Sequence, residues 1–171
     1  MVTNVERILK DNGAFAATFS EIGQHVPVQG IIRGIEAFKT AGADIIVSIG
    51  GGSPTDASKA IIYRLQQQSG GKFLNHIAIP TTLSAAEFRV SCRSPPKALI
   101  HDSHHQAVAG YTDEQGNKVN ISDPMIAPAG VILDAELTLA TPEELWYASR
   151  LRFSSRAQHE VHVGYRREFE R

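Results

Sequence analysis

Ile45-Ile46-Val47-Ser48-Ile49 runs without a break into Gly50-Gly51-Gly52-Ser53-Pro54-Thr55-Asp56, an order that suits a strand, a tight glycine turn and a helix. The apolar run is too short for a surface helix and fits a strand buried on both faces, as in a parallel sheet. Ser53 suits the N-cap, and Pro54 the first helical position, where a missing N–H costs nothing. Asp56 falls at the capping-box position, so the spacing predicts a helix from Pro54 to about Gln67. Glycines without Cβ let a ligand approach the backbone. The free N–H groups and the positive end of the helix dipole favour an anion there. The turn is therefore a candidate phosphate cradle, set against the plainer alternative of a ligand-free connection.

The flanking sequence extends this pattern. Val5, Ile8 and Leu9 form a short helical stripe that Gly13 could end. Ile31, Ile35, Phe38 and Ala41 share one helical face, with Gly42 placed for a left-handed C-terminal position. His76-Ile77-Ala78-Ile79 reads as a second buried strand ending in Pro80-Thr81-Thr82, and Gly130-Val131-Ile132-Leu133 as another. Residues 107–112 and 118–121 flank Glu114-Gln115-Gly116-Asn117 as a hairpin. Thr141-Pro142-Glu143-Glu144 repeats the helix-start chemistry, with Thr141 as N-cap and Leu145, Trp146 and Ala148 directed to a core. Helices alternating with short apolar strands predict an α/β domain with a parallel sheet. In such sheets ligands sit beyond the carboxyl ends of the strands, where Gly50 to Ser53 and Thr81-Thr82 would meet.

The 171 residues suffice for one domain with a real core. A formal net charge of −1 gives no electrostatic case for nucleic acid or an anionic membrane. No apolar run approaches the ~20 residues of a membrane span, and the N-terminus lacks a signal-peptide core, so the expectation is a soluble, cytoplasmic chain. Cys92 is the single cysteine and forms no internal disulfide.

Several tempting residues have plain explanations. His101, Asp102, His104 and His105 are ligand types that no periodic element fixes in place. His159-Glu160-Val161-His162 is one residue short of the spacing that puts two histidines on one helical face. Lys59 lies about one turn beyond Asp56 and could pair with it or meet a phosphate, but is expected to be a solvated lysine. Asp56 has a structural role open to it, since an acid in the first helical turn is stabilising by itself.

Gly-Gly-Gly-Ser-Pro-Thr-Asp-Ala-Ser-Lys (50–59), Ile-Pro-Thr-Thr-Leu-Ser-Ala-Ala-Glu-Phe (79–88), Gly-Tyr-Thr-Asp-Glu (110–114) and Leu-Asp-Ala-Glu-Leu-Thr-Leu-Ala-Thr-Pro (133–142) together resemble the group III, iron-type alcohol dehydrogenases, and within them the maleylacetate reductases. The resemblance implies a Rossmann-like, dehydroquinate synthase-like nucleotide-binding domain, truncated at both ends and lacking the C-terminal helical domain. It implies NAD(H) or NADP(H) as cofactor and reduction of maleylacetate to 3-oxoadipate in the parent enzyme, with a metal-dependent alcohol or glycerol dehydrogenase as the alternative. By the same resemblance Gly50, Gly51, Gly52 and Ser53 bind the cofactor, with Gly51, Gly52 and Ser53 holding its diphosphate; Asp56 faces the nicotinamide side, Thr81 and Thr82 contact phosphate and ribose, and Leu83 walls the cofactor.

Residues 1–152 would form the incomplete nucleotide-binding domain. The family's first two metal-ligand positions correspond to Arg152 and Arg156, which cannot ligate a cation, so no metal site is expected. No catalytic residue is assigned. Residues 89–106 are an atypical insert. Removing Val90 to Gln106 would join family-like text on either side, as a retained intron would. Residues 153–171 stand as an atypical tail in place of the helical domain. The partners expected are a small-molecule substrate in the parent enzyme and a second copy or an intact homologue. A non-catalytic nucleotide-binding module remains the alternative from a different class.

Overall fold

Hydrogen bonding between the two apolar runs organises the molecule. In a computed structural model describing residues 2–88, 90–91 and 106–149, the 45–49 run is strand β1 (Ile45–Gly50) and the 76–79 run is β2 (Asn75–Pro80). The two are parallel and in register from Ile45 opposite Asn75 to Gly50 opposite Pro80. A short β6 (Gly130–Val131) adds to the far side of β2, giving the order β1-β2-β6. The expected strand 130–133 is thus shortened to two residues, although the Ile132 amide still donates to Ala78 O at 2.9 Å.

Helices α1 (Val2–Asp11) and α2 (Val28–Ala41) precede β1, and α3 (Gly52–Ser69) joins β1 to β2. Both predicted glycine stops are present: Gly13 has φ 67° after α1, and Gly42 caps α2 at φ 61°. Helix α1 buries none of its residues. Strands β3 (Val90–Ser91), β4 (Gln106–Thr112) and β5 (Lys118–Ser122) form an antiparallel sheet. The predicted hairpin is its β4–β5 pair, closed where Asp113 Oδ1 accepts from the amides of Gln115 and Asn117. A 3-10 turn (Pro124–Ile126), a short α4 (Ala135–Thr138) and a helical segment at 143–149 complete the described chain.

Helix α3 is the hub. It packs on α2, on β1 and β2, and on β4, and every residue from Thr55 to Ile62 is buried. Ala57, Ala60, Ile61 and Leu65 meet Ile31 and Ile35 of α2 and Ala107, Ala109 and Ile121 of the hairpin in one core. Each large aliphatic side chain buried there contributes roughly 1.5–3 kcal/mol. Gly34 lets α2 and α3 approach closely, since a Cβ there would stand 2.6 Å from Ile61 Cδ1.

Two expectations about burial fail. Strand β1 is not covered on both faces: of its six residues only Ser48 is buried and Ile45 is 38% exposed. The strand lies at a sheet edge, and α3 covers one face. Leu145 and Ala148 are exposed rather than in the core, because the 143–149 segment is attached through polar contacts to the 81–83 backbone. Trp146 is half-buried, and Phe38 packs against the core as expected. The insert's described ends are paired, Val90 with Ala107 and Ser91 with Gln106. The histidines at 101–105, Arg152, Arg156 and the 153–171 tail lie outside the described residues. No described helix is long and apolar enough to cross a membrane.

Across the sheet, His76 Nε2 and Ser48 Oγ are 2.8 Å apart, both residues buried, and His76 Nδ1 has no hydrogen-bond partner. Burial, helped by the nearby positive charge of Lys59, lowers the imidazole pKa from 6.5 to about 4. The unfolded chain therefore takes up a proton near pH 6.5 that the folded chain refuses until about pH 4. Stability is fully present above 6.5 and falls as pH drops through this window, by about 3 kcal/mol at most from this group. Urea midpoints measured from pH 7 to pH 4 should fall, and His76→Gln should remove that share of the slope. An unchanged slope in the variant would contradict the assignment.

Candidate functional site

The level ends of β1 and β2 place the glycine turn against the chain that follows β2. The Thr81 amide donates to Gly50 O at 2.9 Å, one hydrogen bond beyond the last register pair. Gly50 has φ 137°, a backbone region open to glycine and rare for other residues, and a Cβ there would lie 3.0 Å from Pro54 Cγ. Gly51 then faces Thr82 so closely that a Cβ would come within 3.1 Å of its Cγ2 and Oγ1. A Cβ on Gly52 would be 3.3 Å from Ser84 Oγ.

The helix begins two residues earlier than the sequence pattern suggests. Gly51, in extended conformation, is the N-cap of α3, and no side chain caps the helix. Ser53 is accordingly the second helical residue rather than the cap, and Asp56 lies beyond the first turn rather than in a capping box. Thr55 Oγ1 donates to Gly51 O at 3.2 Å. The first-turn N–H groups of this 18-residue helix thus have no side-chain cap, beside the hydroxyls of the 81–84 segment.

Gly50, Gly51, Gly52, Thr81, Thr82 and Leu83 converge at this one edge of the sheet, with Ser53 inside the first turn of α3 and Asp56 one turn deeper and buried. Thr81 and Thr82 are buried and Leu83 is half-buried. The 81–88 segment is held from behind. Its Leu83 amide donates to Ser149 Oγ at 3.1 Å, while Ser149 Oγ donates to Trp146 O. Thr141 Oγ1 donates to Thr81 O at 2.7 Å, so the residue expected to be a helix cap is a cross-chain anchor instead.

Lys59 overturns its expectation most clearly. It is wholly buried, and its ammonium donates to Ala86 O at 2.7 Å and Val108 O at 3.2 Å. The polar face of α3 that looks solvent-directed is roofed by β4 and the 81–88 segment. Glu87, also buried, has its carboxyl pKa raised by burial, against the lowering effects of its own backbone hydrogen bond and of Lys59. Ser84 Oγ and Glu87 Oε2 are buried without hydrogen-bond partners, and Ala85 between them is left-handed at φ 54°. Ser84, Glu87 and Ser149 carry no expectation from the sequence, and Lys59 was expected in solvent. Ala57, Ser58 and Ala60 around Lys59 were the available signal, since small side chains let another backbone come close.

Two surface depressions, of about 390 and 260 Å³, lie away from this edge. One is beside the start of α2 and the other lies between the ends of α2 and α3. The first carries the Arg33–Glu21 pair at 2.8 Å, whose side chains are half or more exposed. Neither gathers the convergent polar groups of the glycine turn.

The profile of the iron-containing alcohol dehydrogenase family matches residues 1–91, just over half of the chain, and the chain belongs to that family. A maleylacetate reductase from Rhizobium sp. (strain MTP-10005) is 37% identical over 127 residues, which are 74% of this chain and 29% of that protein. A 1-propanol dehydrogenase from Salmonella typhimurium is 28% identical over 75% of this chain and 30% of its own length. The crystal structure of the Rhizobium maleylacetate reductase superposes with a TM-score of 0.61 at 35% identity, over 82% of this chain and 33% of that one. A sulfoacetaldehyde reductase from Bifidobacterium kashiwanohense, solved with NAD+, shares the fold with a TM-score of 0.67 at 21% identity, over 88% of this chain and 40% of that one. The chain spans about a third of the length of the curated relatives it matches. Despite the family's name, no group of three or more His, Cys, Asp or Glu side chains able to hold a metal occurs among the described residues.

Gly50→Ala should strain the turn and push on Pro54, lowering unfolding stability by about 2 kcal/mol. Gly42→Ala, strained at its φ but with nothing within 4 Å of its new Cβ, should cost less. Urea denaturation of both variants checks the order, and equal losses would contradict the close packing assigned to Gly50.

Proposed function

We propose that this chain is the nucleotide-binding portion of an NAD(P)H-dependent oxidoreductase of the maleylacetate reductase type, whose parent reaction reduces maleylacetate to 3-oxoadipate in aromatic catabolism. The observation that carries the reading is the uncapped start of α3 behind Gly51 and Gly52, set against Thr82 and Ser84 at the carboxyl ends of two parallel strands. The identity to a maleylacetate reductase supports the choice of substrate over the alcohols of other relatives.

Gly51, Gly52 and Ser53 would hold the diphosphate through backbone N–H groups, with Gly50 setting the turn. Thr81 and Thr82 would add hydroxyls to phosphate and ribose, and Leu83 would wall the cofactor. Asp56, deeper in α3, would face the nicotinamide side. When bound, the nicotinamide supplies the hydride, and the protein's part is to bind and orient it. No residue of this chain is assigned as the proton donor, and turnover by the chain alone is expected to be near background.

A second reading takes the chain as a non-catalytic module that pairs with a second copy or an intact homologue. Leu133, Leu139, Leu145 and Tyr147 favour it, being more than half exposed along one stretch of chain. Sedimentation velocity with and without full-length homologue separates the two readings. A metal-dependent alcohol dehydrogenase would instead be revealed by alcohol oxidation that appears only on adding iron or zinc.

Fluorescence titration of the purified chain with NADH should show saturable binding that ADP displaces. Gly51→Val, which drives a side chain into Thr82, should weaken binding by about tenfold or more, equivalent to about 1.4 kcal/mol. Equal binding by the variant, or none by the wild type, would contradict the proposed cradle.

A further inference from the structure

Lys59 joins three parts of the molecule that share no continuous backbone hydrogen bonding at that point. It rises from the second turn of α3, the helix whose start is the glycine turn. Its ammonium reaches Ala86 O, 27 residues on, and Val108 O of β4, 49 residues on. The 81–88 segment it grips contains no strand or helix, holds Ala85 in a left-handed conformation, and carries Thr81, Thr82, Leu83 and Ser84 at its other end. A buried ammonium is a costly way to join segments that apolar packing could join. It gives directional bonds to two carbonyls, fixing distances as apolar packing does not.

We infer that Lys59 is a positioning residue for the nucleotide site: by holding Ala86 O against α3, it sets the gap between Gly51–Gly52 and the Thr81–Ser84 hydroxyls that a diphosphate must span. The inference rests on the nucleotide-binding reading given above. The gap is narrow enough to need setting, because Thr82 and Ser84 stand 3.1 and 3.3 Å from the places Cβ atoms would take on Gly51 and Gly52. A shift of the 81–88 segment would change the spacing between these hydroxyls and the glycine turn directly. Lys59 is wholly buried, and it acts through the segment whose carbonyl it holds.

The test uses the full chain, Lys59→Met, and ADP and NADH as probes, at a temperature where circular dichroism shows the variant fully folded. Affinity for both probes should fall about tenfold, as expected for losing hydrogen bonds to a charged group that orders the site. Amide exchange should quicken across 81–88 while α2 keeps its protection. A folded variant that binds ADP as the wild type does, with only its unfolding midpoint lowered, would reduce Lys59 to a stability role and overturn the inference while leaving the nucleotide reading intact. Wild type that binds neither probe overturns both.

Should Lys59→Met fail to fold, amide exchange in the wild type decides. ADP should slow Ala86 to Phe88 together with residues 51–53 if Lys59 couples them. Slowing confined to 51–53 overturns the inference.

Discussion

The parallel register of β1 and β2 is the constraint on which the rest depends. Because Gly50 stands opposite Pro80, both strands end at one level, and the Thr81 amide completes the ladder onto Gly50 O. A register slipped by one residue would turn each strand's side chains to the opposite face. It would also move the Thr81–Thr82 hydroxyls away from the glycine turn. The same level edge receives the 141–149 chain, whose Thr141 and Ser149 bond to the backbone at Thr81 and Leu83. Candidate function and tertiary contact thus follow from one alignment of two short strands.

Helix α3 translates that alignment into a site. From Thr55 to Ile62 it is buried between the parallel sheet, α2 and the hairpin, so even its polar residues there lie in the interior. Placing Lys59, Asp56 and Glu87 out of water is expensive unless hydrogen bonds and charges compensate. For Lys59 the compensation includes the two carbonyls it holds. Its charge also reaches the buried groups on either side, acting with burial to keep His76 neutral and against burial at Glu87. The region behind the glycine turn is therefore electrostatically linked.

What the sequence made legible were features with local causes. The 45–49 run, the left-handed glycine after α2 and the Asp113–Asn117 hairpin each follow from side-chain chemistry within a few residues. The glycine turn and the two threonines were also legible, and the structure brings them together. Illegible features depend on what covers an element. Lys59 looks solvated on a helical wheel and is roofed by chain 27 and 49 residues away. Leu145 looks like a core residue but remains exposed, since polar bonds attach its helix to the sheet edge. Ser53 looked like an N-cap because its residue type is right, yet extended Gly51 starts the helix first. That early start gives the turn its chemical character, since a glycine cap offers no side-chain acceptor for the first N–H groups.

The central claim is that these groups form one anion cradle, and the most direct measurement is an amide nitrogen–proton NMR titration of the full chain with ADP. Large, concerted shifts at Gly51, Gly52, Ser53, Thr81, Thr82 and Ser84, saturating with a single affinity and little change at Gly13, Gly70 or Gly116, are the predicted result. Shifts that centre elsewhere, such as on the depression beside the start of α2, or no saturable shift at the glycine turn, would contradict the account.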